Sequence, residues 1–218
     1  MKNLSEKIIL VTGASGGIGA SVALRLAEAG ASVIVNYAGS KETADKVIDQ
    51  IKQKGGDAIG LQADVSKATD VKRLFDATIK QYGKIDVLVN IAGVMITKLI
   101  KDTTDEEYDQ QFDINVRGTF NTLREAATKL ADNGSIINFS SSVNRLMSPT
   151  YGTYVASKSA VEQLTRVFAK EVGRGITVNS VSPGPVNTKL FTKGKPQEVI
   201  ERLASMSAFN RIGEPDDR

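Results

Sequence analysis

Short apolar runs alternate along the chain with longer segments in which apolar residues recur every three or four positions. The short runs are rich in Val and Ile, and most contain too few polar residues for a strand with one face in water. They therefore predict buried parallel strands. These strands are expected at residues 7–12, 32–37, 58–63, 85–90, 135–139 and 177–181.

The longer segments predict helices. In the first, apolar residues Ile18, Val22 and Leu26 are spaced by four, and Gly30 follows as a C-cap. Strict alternation of strands and helices indicates an α/β fold of Rossmann type, with helices on both faces of a doubly wound parallel sheet in three α/β/α layers. The predicted helices cover residues 17–29, 41–54, 67–82, 105–132, 151–172 and 196–206.

Composition favours one globular domain spanning residues 1–218, because 41% of the 218 residues are hydrophobic, 24% are charged, and no linker or repeat divides them. The net charge of +3 comes from basic residues scattered among acidic ones, so a nucleic acid partner is not expected. The apolar run at residues 8–11 is too short for a signal peptide or a membrane span. We expect a cytoplasmic protein without a membrane partner.

The sequence contains no cysteine and no histidine. Their absence removes disulfides, thiolate nucleophiles, the middle member of a Ser-His-Asp triad and the commonest metal ligands, so no metal site is expected. Any chemistry must use Tyr, Lys, Asp, Glu, Ser or a bound cofactor.

A glycine-rich turn, TGASGGIG at residues 12–19, follows the first predicted strand and opens the first helix. Glycines let the backbone approach a pyrophosphate, and the helix N-terminus offers free N–H groups. One alternative is a tight turn without a ligand. Another is the nucleophile elbow of a serine hydrolase, for which no histidine is available to activate the serine. The favoured interpretation is a dinucleotide site contacted by Gly13, Ser15, Gly17, Ile18 and Gly19.

The end of the second predicted strand, residues 36–41, carries no carboxylate. Sites that prefer NAD usually place an acidic residue there to bind the ribose hydroxyls. Without it, nothing repels a 2′-phosphate, which predicts a preference for NADP(H), with NAD(H) still possible. Alternatively, Lys41 is simply a solvent-facing residue of the first helical turn. The predicted contacts are Asn36, Tyr37, Ser40 and Lys41.

Tyr154 and Lys158 are four residues apart and therefore share one face of a predicted helix. Carbonyl reduction needs a hydride donor, an acid for the nascent alkoxide and groups that polarise the carbonyl. A free phenol has a pKa of about 10, which a nearby ammonium would draw towards neutrality. The pair alone also fits an ordinary solvated helix face, so the interpretation depends on the surrounding motifs.

Taken together, these motifs resemble the classical short-chain dehydrogenase/reductase family over essentially the whole chain. ADV at 63–65 resembles its adenine-contacting segment, NIAG at 90–93 its fourth-strand motif with Ile91 in place of the usual asparagine, and PGPVNT at 183–188 its nicotinamide loop. The resemblance implies cofactor contacts from Asp64, Val65, Asn90, Ala92, Gly93, Pro183, Gly184, Val186 and Thr188, together with Tyr154 and Lys158.

The resemblance also implies catalytic roles. Tyr154 is the acid in reduction, and Lys158 lowers its pKa and binds the ribose. Asn115 supports a proton-relay water near the lysine. Among three adjacent serines, the family spacing selects Ser141, thirteen positions before Tyr154, as the residue that positions the substrate. Tyr151 has no lysine four residues later and is interpreted as pocket wall or helix entry.

Three segments follow predicted strand ends and are expected to face the substrate: 94–99, 143–150 and the region of Phe191. They include Val94, Met95, Ile96, Leu146 and Met147, which predict a mainly apolar pocket for a small aldehyde, ketone or quinone-like compound. The alternative is that several of them simply pack a mobile lid.

Assembly and the end of the chain are further expectations from the resemblance. Residues 113–132 and 154–172 resemble the helices through which the family forms homodimers and homotetramers. Relatives continue past the final GEPDDR through another helix and strand, so the sheet is expected to lack a C-terminal strand.

Three other functions stay open. A 3-oxoacyl carrier-protein reductase would need basic docking residues, for which Arg174 and Lys129 are candidates, but Asp132 stands where a base is expected. A non-catalytic dinucleotide sensor would not need the Ser, Tyr, Lys and Asn set. A sugar-nucleotide epimerase would need a separate substrate domain, for which the chain has no room. Carbonyl reduction with NADPH therefore ranks first.

Overall fold

The computed structural model describes residues 4–217, so residues 1–3 and 218, the two ends of the predicted domain, lie outside it. Within that range the chain forms a single sheet of six parallel strands, which confirms the predicted doubly wound α/β fold. The strands are β1 (Ile8–Thr12), β2 (Ser32–Tyr37), β3 (Asp57–Gln62), β4 (Val87–Asn90), β5 (Ser135–Phe139) and β6 (Thr177–Val181). Their order in the sheet is β3-β2-β1-β4-β5-β6.

Strand order reverses at β1, which pairs with β2 on one side and with β4 on the other. Chain connections leave in opposite directions at this point, and a crevice opens outside the carboxyl ends of the strands. The glycine-rich turn follows β1 and the NIAG segment follows β4. The topology therefore brings these two motifs to one place.

Helices connect the strands, and the predicted ones agree with the structure in kind, most with ends shifted by one or two residues. Three short turns within loops were not predicted: helical turns at Val143–Leu146 and Lys189–Thr192, and a 3₁₀ turn at Ile100–Asp102. The helices are α1 (Gly17–Glu28), α2 (Lys41–Gln53), α3 (Ala68–Tyr82), α4 (Asp105–Phe112), α5 (Gly118–Lys129), α6 (Val143–Leu146), α7 (Gly152–Glu171), α8 (Lys189–Thr192) and α9 (Gln197–Ser205).

Two hydrophobic clusters cover the two faces of the sheet. Side chains of a strand point alternately to either face, so Leu10 packs in a cluster with Phe75 of α3 and Leu123 of α5, whereas its neighbour Val11 packs with Ile51 of α2. Both faces of β1 are consequently buried, as its unbroken apolar sequence predicted. None of the helices within residues 4–217 is long and apolar enough to cross a bilayer.

The prediction of one uninterrupted helix over residues 105–132 is wrong. The segment contains α4, then a π-helical turn at Asp113–Arg117, then α5. A π turn adds one residue to a single helical turn and leaves the spacing of apolar residues almost unchanged. The periodicity of the sequence therefore cannot reveal it. The helix also ends early, because Leu130 is extended and Ala131 N donates instead to Ile85 O at 2.8 Å.

Candidate active site

The carboxyl ends of β1, β4, β5 and β6 open into one cavity of about 1300 Å³. Ordinary small-molecule pockets occupy roughly 300–1,000 Å³, so this one has room for an extended ligand and a second molecule. No acidic residue from the described part of the chain lines it, whereas several lysines and one arginine do. The cavity is therefore suited to anionic ligands. Its basic residues are Lys158, Lys189, Lys195 and Arg202.

The cavity gathers most of the residues that the sequence singled out. They come from the glycine-rich turn, the fourth-strand motif, the serine and tyrosine-lysine segments and the loop after β6. Those lining it are Gly13, Ser15, Gly17, Ile18, Gly19, Ala92, Gly93, Ser141, Tyr154, Lys158, Pro183, Gly184, Val186 and Thr188.

The glycine-rich turn is locked against the loop after β4. Gly13 has a φ of +65°, and a Cβ there would lie 2.8 Å from Ala92 Cα, so no other residue fits without backbone movement. Thr12 Oγ1 accepts hydrogen bonds from Ile91 N at 3.1 Å and Ala92 N at 3.2 Å. The start of α1, with its unpaired N–H groups and positive end of the dipole, is thereby fixed at the cavity wall.

Tyr154, Ser141 and Lys158 lie close together at the base of the cavity. Tyr154 is 7% exposed, and Lys158, one turn further along α7, is 6% exposed. Burial raises the pKa of the Tyr154 phenol to about 12, and a hydrogen bond with Ser141 opposes that shift. The phenol is therefore protonated at neutral pH, as a proton donor must be.

Lys158, which the resemblance implies lowers the Tyr154 pKa, is itself held by a backbone carbonyl. Its Nζ donates to Phe139 O at 2.8 Å, at the end of β5, and burial is the dominant influence on the phenol. Burial also lowers the pKa of Lys158 itself to about 8, because a desolvated ammonium is disfavoured. The lysine is thus a partly destabilised cation in the same cavity lining as the phenol.

Asn115 braces this centre from the π-helical turn. Its Oδ1 accepts from Val94 N at 2.8 Å, and its Nδ2 donates to Val94 O at 2.9 Å and to Ser157 Oγ at 3.0 Å. A Cβ on Gly93 would lie 3.1 Å from Asn115 Oδ1 and 3.4 Å from Lys158 Nζ. The asparagine is therefore beside the lysine, although it does not line the cavity.

The predicted 2′-phosphate contacts lie outside the cavity lining. The Asn36 side chain donates to Leu61 O and Ala63 O, both at 3.1 Å, so its amide joins β2 to β3. Tyr37 is buried in the core, and Ser40 is the N-cap residue of α2. Lys41 is exposed and forms an ion pair with Asp45 at 2.7 Å. Of this region only Thr43, which the sequence analysis missed, lines the cavity.

Asp64, Val65 and Asn90 also lie behind the lining. Asp64 Oδ1 accepts from Ser66 N at 3.0 Å and from Ser66 Oγ at 2.7 Å, and Val65 is buried. Asn90 Nδ2 donates to Asn138 Oδ1 at 2.8 Å, which joins β4 to β5. In this structure these side chains hold the strand ends in place.

The expected substrate-facing segments contribute only some of their residues. Met95, Leu146 and Phe191 line the cavity, as does Tyr151, whose ring centroid is 6.4 Å from that of Tyr154. Three other residues do not: Val94 and Ile96 are tied through their backbones to Asn115 and Gln111, and Met147 is 76% exposed.

Glu162 is a site residue that the sequence analysis missed. Its Oε1 accepts from Ser140 Oγ at 2.8 Å, from Asn144 Nδ2 at 2.9 Å and from Ser182 Oγ at 3.4 Å. Burial raises its pKa, but these hydrogen bonds outweigh burial and hold the pKa below its ordinary value. The spacing of four from Tyr154 to Lys158 to Glu162 was the available signal. Glu162 joins α7 to the loop that carries Ser141 and to the loop after β6.

The parallel sheet, the glycine-rich turn and the serine-tyrosine-lysine cluster, all open to one cavity, define a dinucleotide-dependent oxidoreductase. Residues 13–218 match the profile of the family described as enoyl-(acyl carrier protein) reductase. The chain belongs to the short-chain dehydrogenase/reductase family.

Individual relatives support this assignment. The NADPH-dependent aldehyde reductase-like protein of Arabidopsis thaliana chloroplasts is 40% identical, over 98% of this chain and 85% of that protein. The 3-oxoacyl-(acyl-carrier-protein) reductase of Staphylococcus aureus is 42% identical, over 97% of this chain and 87% of that protein. The crystal structure of the angucycline C-6 ketoreductase LanV with bound NADP has a TM-score of 0.92 and 38% identity, over 98% of this chain and 86% of LanV.

Replacing Glu162 by Ala is expected to loosen the loop that carries Ser141. Hydrogen bonds to a charged group contribute roughly 1.5–3 kcal/mol, so amide hydrogen exchange in residues 140–147 should accelerate about tenfold or more. Exchange followed by mass spectrometry measures this. Glu171→Ala, an exposed position on the same helix, is the matched control. Equal protection in both variants would show that the loop is held by other contacts.

The buried Lys158 is expected to make stability depend on pH. Its pKa of about 8 in the folded protein lies below the ordinary 10.5, so the unfolded chain binds the proton more tightly. Burial of the charged lysine therefore lowers the free energy of unfolding by at most roughly 3 kcal/mol at pH values below 8. This loss of stability disappears as the pH rises from about 8 towards 10.5.

Urea unfolding at pH 7 to 10.5 tests this dependence. The stability of the unmodified protein relative to Lys158→Met should increase over the upper part of that range, because methionine has no proton to lose. Lys170→Met, on the exposed side of the same helix, should show no such trend. A constant difference between protein and Lys158→Met contradicts the lowered pKa.

Proposed function

We propose that this protein is an NADPH-dependent carbonyl reductase, acting reversibly on an aldehyde, a ketone or a quinone-like compound. The observation on which the proposal rests is the hydrogen bond between the Tyr154 phenol and Ser141, in the same cavity as the glycine-rich turn. The relatives named as NADPH-dependent aldehyde reductase and as ketoreductase with bound NADP support the proposal.

The residues of the cavity fit a dinucleotide. At Gly13 the turn leaves no space for a side chain, the start of α1 offers N–H groups to a pyrophosphate, and no described acidic residue of the lining repels it. The proposed cofactor contacts remain those predicted from the sequence. When bound, the nicotinamide supplies the hydride.

The protein contributes the proton and the electrostatic stabilisation. Tyr154 donates its phenolic proton to the oxygen that becomes the alcohol. Ser141 Oγ, adjacent to the phenol, donates a hydrogen bond to the same oxygen and polarises the carbonyl. The Lys158 ammonium stabilises the phenolate left after transfer, and Asn115 holds the strand end beside the lysine. The favoured transition state is the one in which negative charge develops on the carbonyl oxygen.

A preference for NADPH over NADH rests on the end of β2. Residues 36–41 carry no carboxylate, and the N-terminus of α2 follows with Ser40 and Lys41. The ion pair of Lys41 with Asp45 is exposed to solvent and therefore weak, so the ammonium can exchange it for a phosphate. Binding of NAD(H) remains part of the proposal as the weaker alternative.

A carrier-protein substrate ranks lower. Arg174 donates to the carbonyls of Leu130 and Ala127 at 2.8 Å each and pairs with Asp132 at 3.1 Å, while Lys129 bridges Asp76 and Glu125. Both candidate docking residues are therefore already engaged in contacts at the C-terminal end of α5. The structure offers no observation that favours this substrate over a free small molecule.

Assembly as a homodimer or homotetramer and a cytoplasmic location stay predictions. Exposed Phe120 on α5 and Val167 on α7 are apolar side chains on the helices expected to form the subunit contact, which supports the first.

Replacing Tyr154 by Phe tests the proposed reaction. Loss of the acid should lower the rate of NADPH oxidation by about 10²- to 10⁴-fold with aldehydes, ketones or quinones, while the Kd for NADPH stays within a few fold. Nicotinamide absorbance and fluorescence measure both. Tyr151→Phe, which removes a neighbouring phenolic hydroxyl in the same cavity, is the control and should keep most activity. Full activity in Tyr154→Phe, or no nucleotide binding by the unmodified protein, would exclude the proposal.

Replacing Lys41 by Ala tests the cofactor preference. The Kd for NADPH should rise by about three- to tenfold because a charge-assisted contact to the 2′-phosphate is lost, and that for NADH should not change. Lys46→Ala is the control, since Lys46 forms an equivalent exposed ion pair with Glu42 on the same helix. Tighter binding of NADH by the unmodified protein would reverse the predicted preference.

A further inference from the structure

Lys195 places an ammonium on the wall of the cavity without a partner of opposite charge. It is partly buried, and burial is what lowers its pKa below the ordinary value. Among residues 4–217, no carboxylate forms a salt bridge with it and no oxygen accepts a hydrogen bond from its Nζ. Because a lysine has three N–H donors, this ammonium has unused hydrogen-bonding capacity that faces the cavity.

Two aromatic rings hold the ammonium in position. Its Nζ lies 4.8 Å from the ring centroid of Phe191 and 5.8 Å from that of Tyr151. Cation–π contacts of this kind fix a cation without neutralising it. The charge therefore remains available to an anion that enters the cavity.

Tyr151 connects this ammonium to the reacting centre. Its ring makes an edge-to-face contact with Tyr154 at 6.4 Å, and the Lys195 ammonium lies over the same ring at 5.8 Å. A molecule whose carbonyl meets Tyr154 would place its body against the rings of Tyr151 and Phe191. Its far end would then reach Lys195.

We propose that Lys195 is the anion-binding residue of the substrate site, and that the preferred substrates are aldehydes or ketones that carry a carboxylate on a compact, preferably aromatic, body. This inference rests on the proposed carbonyl reduction and specifies its substrate class. A carboxylate fits better than a neutral end because it supplies the acceptors that the Lys195 ammonium lacks.

A matched substrate pair tests the inference. The unmodified protein with NADPH should have a KM for 4-formylbenzoate about tenfold or more below that for its methyl ester, which has the same ring and aldehyde. In Lys195→Met the KM for the acid should rise to that of the ester, with kcat and the Kd for NADPH unchanged. Lys195→Arg should restore most of the difference. Lys193→Met, at an exposed position outside the cavity lining, is the control.

Direct binding separates failure of the inference from failure of the proposed reaction. Ligand-observed NMR with 4-(hydroxymethyl)benzoate and with benzyl alcohol reports anion binding without turnover. Stronger binding of the acid by the unmodified protein, lost in Lys195→Met, supports the anion site even if no carbonyl is reduced. Equal KM values for acid and ester, or equal binding of the two alcohols, overturns it.

Discussion

Burial of the Lys158 ammonium at the end of β5 is the constraint on which the rest of the site depends. Taking a charge out of water is costly, and here one backbone carbonyl, Phe139 O, receives it. That contact persists only if α7 and β5 are held at a fixed separation. Ser140 Oγ bonds to Lys158 O at 3.2 Å, and Asn138 Nδ2 bonds to Thr165 Oγ1 at 2.8 Å. Asn138 and Ser140, at the carboxyl end of β5, therefore hold the helix from which the lysine projects.

The same contacts set the geometry of the proposed reaction. Tyr154, Lys158 and Glu162 follow one another at single turns of α7, so a helix fixed at Lys158 also fixes the phenol and the carboxylate. Glu162 turns its charge towards the loops after β5 and β6 and away from the cavity. A group with a shifted pKa beside a protonated phenol in a large cavity is the arrangement expected of a functional site, where unfavourable burial is retained for its chemistry.

The sequence predicted the features that depend on local pattern. Strands such as β1 and β2 are rich in Val and Ile, and the glycine-rich turn between β1 and α1 has a fixed spacing, so both were recognisable. Contacts between distant segments were not recognisable from the sequence. The π turn leaves helical periodicity intact, and the Asn36 amide bonds to the β3 backbone, a choice of partner that depends on the register between β2 and β3. The role of Lys195 depends on how the segment after α8 folds back onto Tyr151, which no spacing encodes.

The positive charge of the cavity lining favours anions both at the cofactor end and at the substrate end of the site. A dinucleotide brings a pyrophosphate to the start of α1, and an acidic side chain in the lining would oppose it across a region of low dielectric constant. The described lining contains none, and the Glu162 carboxylate on the catalytic helix is instead held by hydrogen bonds from Ser140 and Asn144 in the serine loop. Freed of acidic neighbours, a lysine at the far wall keeps its full attraction for a second anion. The absence of acidic side chains from the described lining, which favours binding of the cofactor, thus also leaves Lys195 able to bind an anionic substrate.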